Sequence, residues 1–240
     1  MDVTITIHNP TQIHVDCIKS LLHNRSYVGN IVIIDNASGH SEFVDEIAMM
    51  ANIYHRLEKQ VSIGESWNIG IELTQSRYVL VCNDDILFTK NWCIPLIETM
   101  DREYKTIGVL QPFNTVGSLP DNFPENYEKK DMVGDIPSTN FVGCCFVIRR
   151  SLLNKLKEFD KKHFADWNDY TYFCDKFYPF GPEDQDFYRR VREIGYTTNT
   201  HFNSYVHHYT GQTMRQIENF EEIKKRGNVL FDERWSHGKI

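Results

Sequence analysis

Two stretches of this chain carry side chains that could do chemistry: Asn83-Asp84-Asp85, and Gly181-Pro182-Glu183-Asp184-Gln185-Asp186-Phe187. The first follows the apolar run Tyr78-Val79-Leu80-Val81-Cys82. Two carboxylates and an amide therefore stand at the C-terminal edge of a buried strand, where open α/β sheets bind ligands. Crowded acids repel one another unless a cation or a hydrogen-bond network compensates. A polar turn is the plainer account of the same residues. The second stretch resembles a helix start, with proline early and acids in the first turn, where the helix dipole favours them. Three carboxylates in four positions exceed what capping needs, and a pair facing a cleft suits general base chemistry. His201, His207 and His208 come later. In the strand-like Tyr205-Val206-His207-His208 the last two point to opposite faces, so at most one serves a given site.

The elements that must position these residues follow an alternating pattern. Val3 to Ile7 reads as a first strand, and Thr11 as the N-cap of a helix over 12–23 with Ile13, Cys17, Ile18, Leu21 and Leu22 as its apolar stripe. Ile31-Val32-Ile33-Ile34-Asp35 is a second strand that ends in an acid, followed by a turn at 36–39 and a helix carrying Phe43, Val44, Ile47, Ala48 and Met49. A short strand over 53–59, the stretch Ile63 to Ile71 leading into a helix, the strand before Asn83, a helix from Trp92 to Met100 and a strand at Ile107 to Leu110 continue the series. Strand, helix, strand, helix predicts a parallel sheet with right-handed crossovers.

Beyond Leu110 the pattern changes. Residues 112–138 read as a long loop rich in Pro, Gly, Asn, Asp and Ser, and loops of that length are more often functional than simple connections. Phe141 to Ile148 predicts a strand, and 149–156 a helix. Phe164 to Phe180 gathers Trp167, Tyr170, Tyr172, Phe173, Phe177 and Tyr178, which suits either an aromatic minicore or a ligand-stacking surface. Phe187, Val191 and Ile194 continue the helix opened by the acids, with Gly195 ending it. Residues 216–240 read as a charged amphipathic helix and a terminal segment.

Composition narrows the class. With 240 residues, 41% of them hydrophobic, the chain is of a size for a single domain. The change of pattern after Leu110 and the charged end divide it into segments over 1–111 and 112–213 and a helical tail over 214–240. The formal charge of −7 and the lack of a basic cluster argue against nucleic acid as a partner. An anionic ligand would then need local devices, such as a metal ion or a helix N-terminus. The six cysteines follow no metal-ligand spacing, and several sit inside apolar runs, which suggests reduced thiols in a cytoplasmic protein. No apolar run is long enough to span a membrane, which leaves peripheral membrane contact open.

Four blocks in order give the chain a family resemblance: Thr4-Ile5-Thr6-Ile7-His8-Asn9 with Ser20-Leu21-Leu22; Val32-Ile33-Ile34-Asp35-Asn36-Ala37-Ser38; Asn68-Ile69-Gly70 with Tyr78 through Asp85; and Gly181 through Phe187 with Arg190, Gly195-Tyr196 and His208-Tyr209-Thr210-Gly211-Gln212-Thr213. Each block alone is a weak signal; together, over 3–213, they are specific. The chain resembles an inverting family 2 glycosyltransferase of the GT-A fold, an α/β fold with a Rossmann-like, mostly parallel sheet flanked by helices and a small acceptor-side lobe. It departs from the usual pattern at His8, where tyrosine is usual, and at Ser66-Trp67, where many relatives have Ala-Arg.

The resemblance implies an enzyme that takes a sugar from a nucleoside diphosphate sugar and gives it to a hydroxyl acceptor, such as a glycan, a lipid-linked sugar or a glycoprotein, with Mn²⁺ or Mg²⁺ as cofactor. It implies Asp85 as the direct metal ligand, with His208 completing the metal shell or contacting the diphosphate. Donor contacts are expected at His8, Asn9, Asp35, Asn36, Asn68, Asn83 and Asp84. Asp184 is the expected base, Glu183 would place acceptor or donor sugar, and Asp186 would hold the helix. Trp167 and Tyr170 are expected on the acceptor side by position and residue type. A non-catalytic sugar-binding module, a sugar nucleotidyltransferase and a carboxylate-pair glycoside hydrolase are the alternatives. The turn His8 to Gln12 lacks the Gly-rich, basic loop of the nucleotidyltransferases, and hydrolysis gives no reason for the acids at the 78–82 strand end.

Overall fold

The computed structural model describes residues 1–103, 105–116, 133–135, 142–167, 171–210 and 217–237. The first half alternates as its sequence predicts: β1 (Asp2–Ile7), α1 (Gln12–His23), β2 (Ile31–Asp35), α2 (Glu42–Met50), β3 (Ile53–Arg56), α3 (Ile63–Glu72) and β4 (Tyr78–Cys82). β3, β2, β1 and β4 lie side by side and all parallel. Helix starts in this half are capped by hydroxyl side chains. Ser41 Oγ accepts from Val44 N at 3.3 Å and Ser62 Oγ accepts from Glu65 N at 3.1 Å. Thr11 opens α1 in a capping box whose reciprocal member is His14, where Nδ1 accepts from Thr11 N at 2.7 Å.

Beyond β4 the sheet changes character. β5 (Ile86–Phe88), α4 (Cys93–Arg102), β6 (Ile107–Val116), β7 (Val133–Asp135), β8 (Cys145–Arg149), α5 (Arg150–His163), α6 (Glu183–Glu193), β9 (Thr197–His208) and α7 (Phe220–His237) complete the described elements. β8 pairs antiparallel with both β4 and β6, β9 runs parallel to β6, and β5 pairs antiparallel with β9. The resulting mixed sheet has the order β3-β2-β1-β4-β8-β6-β9-β5, with β7 on β9. The parallel order predicted by the strand and helix alternation holds for the first four strands, and the remainder is mixed, with β6 and β9 again parallel.

Several boundaries differ from the sequence reading, and the strand expected over 53–59 ends at Arg56. The expected loop over 112–138 is entered by β6, which runs on to Val116, and contains β7; its other residues lie outside the described set. The strand expected from Phe141 begins at Cys145, and Phe141 is also outside it. The helix after β8 continues to His163 rather than Leu156.

The core has two layers, one on each face of the sheet, and the pleat sorts side chains between them. Tyr78, Leu80 and Cys82 join the layer built with α1 and α4, whereas Val79 and Val81 join Trp67, Ile71, Leu152 and Phe187 on the other. α3 lies against β1 through Gly70, where an added Cβ would fall 1.8 Å from Thr4 Oγ1, so only glycine permits this approach. Tyr172, Phe173 and Phe177 are buried, with Phe173 stacked on Phe187 at 4.4 Å and edge-on to Trp67 at 5.0 Å. That much of the 164–180 segment is a minicore. No helix among the described residues is long and apolar enough to cross a membrane.

Candidate active site

A cavity of about 570 Å³ opens at the C-terminal ends of β1 and β4. One wall is made by Thr6, His8, Asn9 and Asn36, together with Gln60, Val61 and Trp67. Its floor holds Asn83, Asp84 and Asp85, and the opposite wall holds Gly143, Glu183, Asp184 and His208. The two stretches with the chemical side chains, about a hundred positions apart in sequence, meet here. Four carboxylate residues line the cavity, and no Lys or Arg does among the described residues.

Asp85 and His208 meet because of strand register. Ile86 pairs with His208 across β5 and β9, and Tyr209 N donates to Asp85 O at 3.0 Å. His208 Nε2 then lies 2.9 Å from Asp85 Oδ1. That oxygen is buried yet accepts no hydrogen bond, and His208 Nδ1 is likewise buried without a partner. Two ligand atoms of one octahedral ion with bonds of about 2.1 Å lie about 3 Å apart. A carboxylate oxygen and an imidazole nitrogen at this spacing therefore fit a divalent cation. No group of three or more His, Cys, Asp or Glu suited to a metal occurs among the described residues. These two residues could hold such an ion only with further ligands from water or from a bound anion. His207, one position earlier, faces the other way and bonds through Nδ1 to Thr115 Oγ1 at 2.7 Å.

Asp84 is buried beside Asp85, and its carboxyl is held well above its usual range, first by burial and then by the Asp85 charge. His14 Nε2 stands 3.6 Å from Asp84 Oδ2. Because Nδ1 of His14 already accepts from Thr11 N, the neutral ring carries its proton on Nε2, turned toward Asp84. This histidine escaped the sequence reading. Its only signal was its place three residues after a Thr N-cap, where Glu or Gln would complete the box.

The acids of α6 sit at the helix start. Glu183 Oε2 accepts from Gly181 N at 2.7 Å. Asp184 Oδ1 accepts from Gln185 N at 2.8 Å and Oδ2 from Gly143 N at 3.1 Å. Burial pushes the Asp184 carboxyl up to about 6 against those backbone hydrogen bonds, and it raises Glu183 well above its usual range, helped by the Asp184 charge. Gly143 is a second residue that sequence reasoning missed. A Cβ there would lie 2.5 Å from Asp184 Cβ, so the chain entering β8 passes Asp184 closely only because this position has no side chain. Asp186, two positions further, is fully buried and faces away from the cavity.

On the other wall, the turn after β1 is closed by side-chain bonds. His8 Nδ1 donates to Asn36 O at 2.8 Å, and Nε2 is left to accept from Asn9 Nδ2 at 3.2 Å. The Asn36 amide pairs both ways with Val61, through Nδ2 to Val61 O at 3.0 Å and from Val61 N to Oδ1 at 2.9 Å. Asn9 and Ala37 have positive φ, 49° and 58°, so both turns that form this wall are tight.

Three expected site residues lie elsewhere. Asp35 is fully buried and does not line the cavity; Oδ1 accepts from Ser38 N at 2.8 Å and Oδ2 from Tyr54 Oη at 2.5 Å, with Arg56 beside it. Asn68 is turned to the Phe173 backbone, donating to its carbonyl at 2.8 Å and accepting from its N–H at 2.9 Å. The Asn-x-Gly block is therefore a packing device here, with Asn68 fastening the aromatic segment and Gly70 seating α3 on β1, and the cavity is reached instead by Trp67. Trp167 is half-buried under the Arg234 guanidinium, 5.3 Å from its ring, and is not part of the cavity. Tyr170 lies outside the described residues. The exposed apolar rim is made by Val142 and Tyr178.

The family model described as Glycosyl transferase family 2 matches residues 2–157. The chain belongs to this family. The match covers the parallel half and ends within α5, so the acids of α6, His208 and α7 lie beyond it. Among solved structures, the fold is similar to that of GalNAc-T7 crystallised with UDP, GalNAc and Mn²⁺, with TM-score 0.65 and 17% identity over 86% of this chain and 43% of that one. It is also similar to S. aureus TarS 1-349 in complex with UDP-GlcNAc, with TM-score 0.63 and 14% identity over 100% and 67%. The mannosyltransferase PcManGT from Pyrobaculum calidifontis, in complex with GDP-Man and Mn²⁺, gives TM-score 0.60 and 11% identity over 88% and 57%. At such identities the likeness is one of fold, the GT-A glycosyltransferase fold. The chain spans only 43% of the first of these and 57% of the third. No curated protein sequence matches the chain. In this family 2 glycosyltransferase domain, the four carboxylates line a cavity at the C-terminal ends of β1 and β4.

Proposed function

We propose that the domain transfers a sugar, with inversion, from a nucleoside diphosphate sugar to a hydroxyl acceptor. The observation that carries this reading is a cavity lined, among the described residues, by four carboxylates and no Lys or Arg, in a fold shared with GalNAc-T7 holding UDP and TarS holding UDP-GlcNAc. A diphosphate entering so acidic a cavity needs a cation, and Asp85 with His208 would hold Mn²⁺ or Mg²⁺. That ion would offset the negative charge on the two phosphates as it grows in the transition state.

The protein's own part is orientation and proton transfer. The wall of His8, Asn9, Asn36 and Val61 would receive the nucleoside, with Asp35 holding that wall from behind. Asn83 and Asp84 would face ribose or sugar. The acceptor would enter over Val142 and Tyr178, its hydroxyl aimed at the anomeric carbon from the face opposite the diphosphate. As the new carbon–oxygen bond forms, the bond to the diphosphate oxygen breaks with its electron pair, and the acceptor proton passes to Asp184. Glu183 would place the acceptor or donor sugar.

Release of free nucleoside diphosphate from a panel of donors, with Mn²⁺ and with EDTA, tests the reading. We expect metal-dependent release from at least one donor and its loss in Asp184→Asn. Undiminished turnover in that variant would overturn the base assignment, and no release from any donor with any acceptor would favour a binding module.

A further inference from the structure

α7 carries an arginine that its amphipathic pattern does not explain. Arg234 is fully buried, with Nε donating to Asp186 Oδ1 at 2.9 Å and a terminal nitrogen to Asp160 Oδ2 at 2.8 Å. Its neighbour Trp235 donates from Nε1 to the same Asp186 oxygen at 3.1 Å. From within α6, Arg190 bonds the other Asp186 oxygen at 2.8 Å and Asp160 Oδ1 at 3.2 Å. Two buried arginines thus answer two buried aspartates, with every carboxylate oxygen engaged across α5, α6 and α7. Removing one partner would leave a buried charge unmatched.

The geometry of α6 gives this network a consequence at the cavity. Residues two apart on a helix point to roughly opposite faces. Asp186 is gripped on the inner face, while Asp184 on the other face reaches Gly143 and the cavity. A grip on one side fixes the roll of the helix and hence the aim of the other side. α7 also presses on the turn that starts α6: a Cβ at Gly227 would lie 3.1 Å from Pro182 Cδ and 3.2 Å from Gly181 Cα. Phe220 at its start stacks on Phe180 at 5.5 Å.

We propose that α7, through Arg234, is a positioning element of the active centre, fixing the roll of α6 so that Asp184 stays against Gly143 at the cavity wall. The role in turnover rests on the sugar-transfer reading; the positional link does not. Arg234→Lys keeps the charge but loses the planar fork that grips both aspartates. Gly227→Ala pushes on the same turn without touching the charges and suits a helix better than glycine does.

Because Gly143 N–H bonds Asp184 itself, its amide exchange reports the position of that carboxylate. In both variants we expect exchange at Gly143 to quicken about tenfold or more while β1 and β4 amides keep their protection, and kcat to fall about tenfold with donor KM nearly unchanged. Unchanged Gly143 protection in folded Gly227→Ala and Arg234→Lys overturns the proposal, as does full kcat with a loosened Gly143. Should Gly143 loosen in both variants while the parent protein releases no nucleoside diphosphate from any donor, the positional link stands and the sugar-transfer reading falls.

Discussion

Two opposed effects set the protonation of Asp184, the proposed base. Burial raises its carboxyl to about 6, and the Gly143 and Gln185 amides keep it from rising further. A base works in its ionised form, so turnover should rise with pH through about 6 and level off above it; a rate profile with no acid limb in that region would argue against Asp184. Asp184→Asn should lower kcat by about 10²- to 10⁴-fold while leaving donor KM nearly unchanged, measured in steady state. The same shift has a sign for stability. Between the ordinary carboxylate range and about 6, the native state holds a proton that the unfolded chain has released, so this group's contribution to stability declines as pH rises through that window. The displacement corresponds to roughly 2–3 kcal/mol. Asp184→Asn should therefore gain stability relative to the parent between pH about 4 and 7, in paired urea titrations, even as it loses turnover.

At the scale of elements, two short segments aim the chemical side chains, and each makes a separable prediction. The entry to β8 passes Asp184 at Gly143, so Gly143→Ala should displace the carboxylate and lower kcat by about tenfold or more, at a stability cost of about 1–3 kcal/mol from the overpacking. Asn68 does the reverse. Asn68→Ala removes both bonds to Phe173 and should cost about 1–3 kcal/mol in chemical denaturation, with donor KM unchanged. A raised donor KM without a stability loss would return Asn68 to the donor site. The elements themselves were legible where local pattern decides them. β1 to β4 and α1 to α3 follow from apolar runs, caps and turn residues in order. β5 was not, because three residues after Asp85 form a strand only by pairing with His208 and its neighbours far along the chain. The Asn68 contact was not legible for a related reason: an Asn near a Gly signals a tight approach, and the sequence does not say whether a nucleotide or an aromatic backbone makes it.

Across the whole molecule, the site is an assembly of distant parts, with Asp85 from the end of the parallel half and Asp184 and His208 from segments beyond the family match. Order and spacing brought these residues together on the page; only the fold shows that Asp35 and Trp167 stay out of the cavity and that α7 grips the helix of the acids. Such an assembly should respond as a unit when the gap between its walls is bridged. Donor alone meets uncompensated carboxylates, and cation alone finds two protein ligands, so each should bind weakly without the other. Together, at about a hundred times Kd, they should stabilise the fold by roughly 2.7 kcal/mol, which for a chain of this size raises Tm by about 5–10 °C. Thermal melts with a nucleotide sugar, with Mn²⁺, and with both measure this directly, and EDTA should abolish the combined shift. Asp85→Ala should lose it as well, since His208 alone would hold no ion, and any residual shift should match that of the donor alone. A full shift in Asp85→Ala would mean that the cation sits elsewhere, and an equal shift from donor with EDTA would mean that the acidic cavity accepts the diphosphate without one.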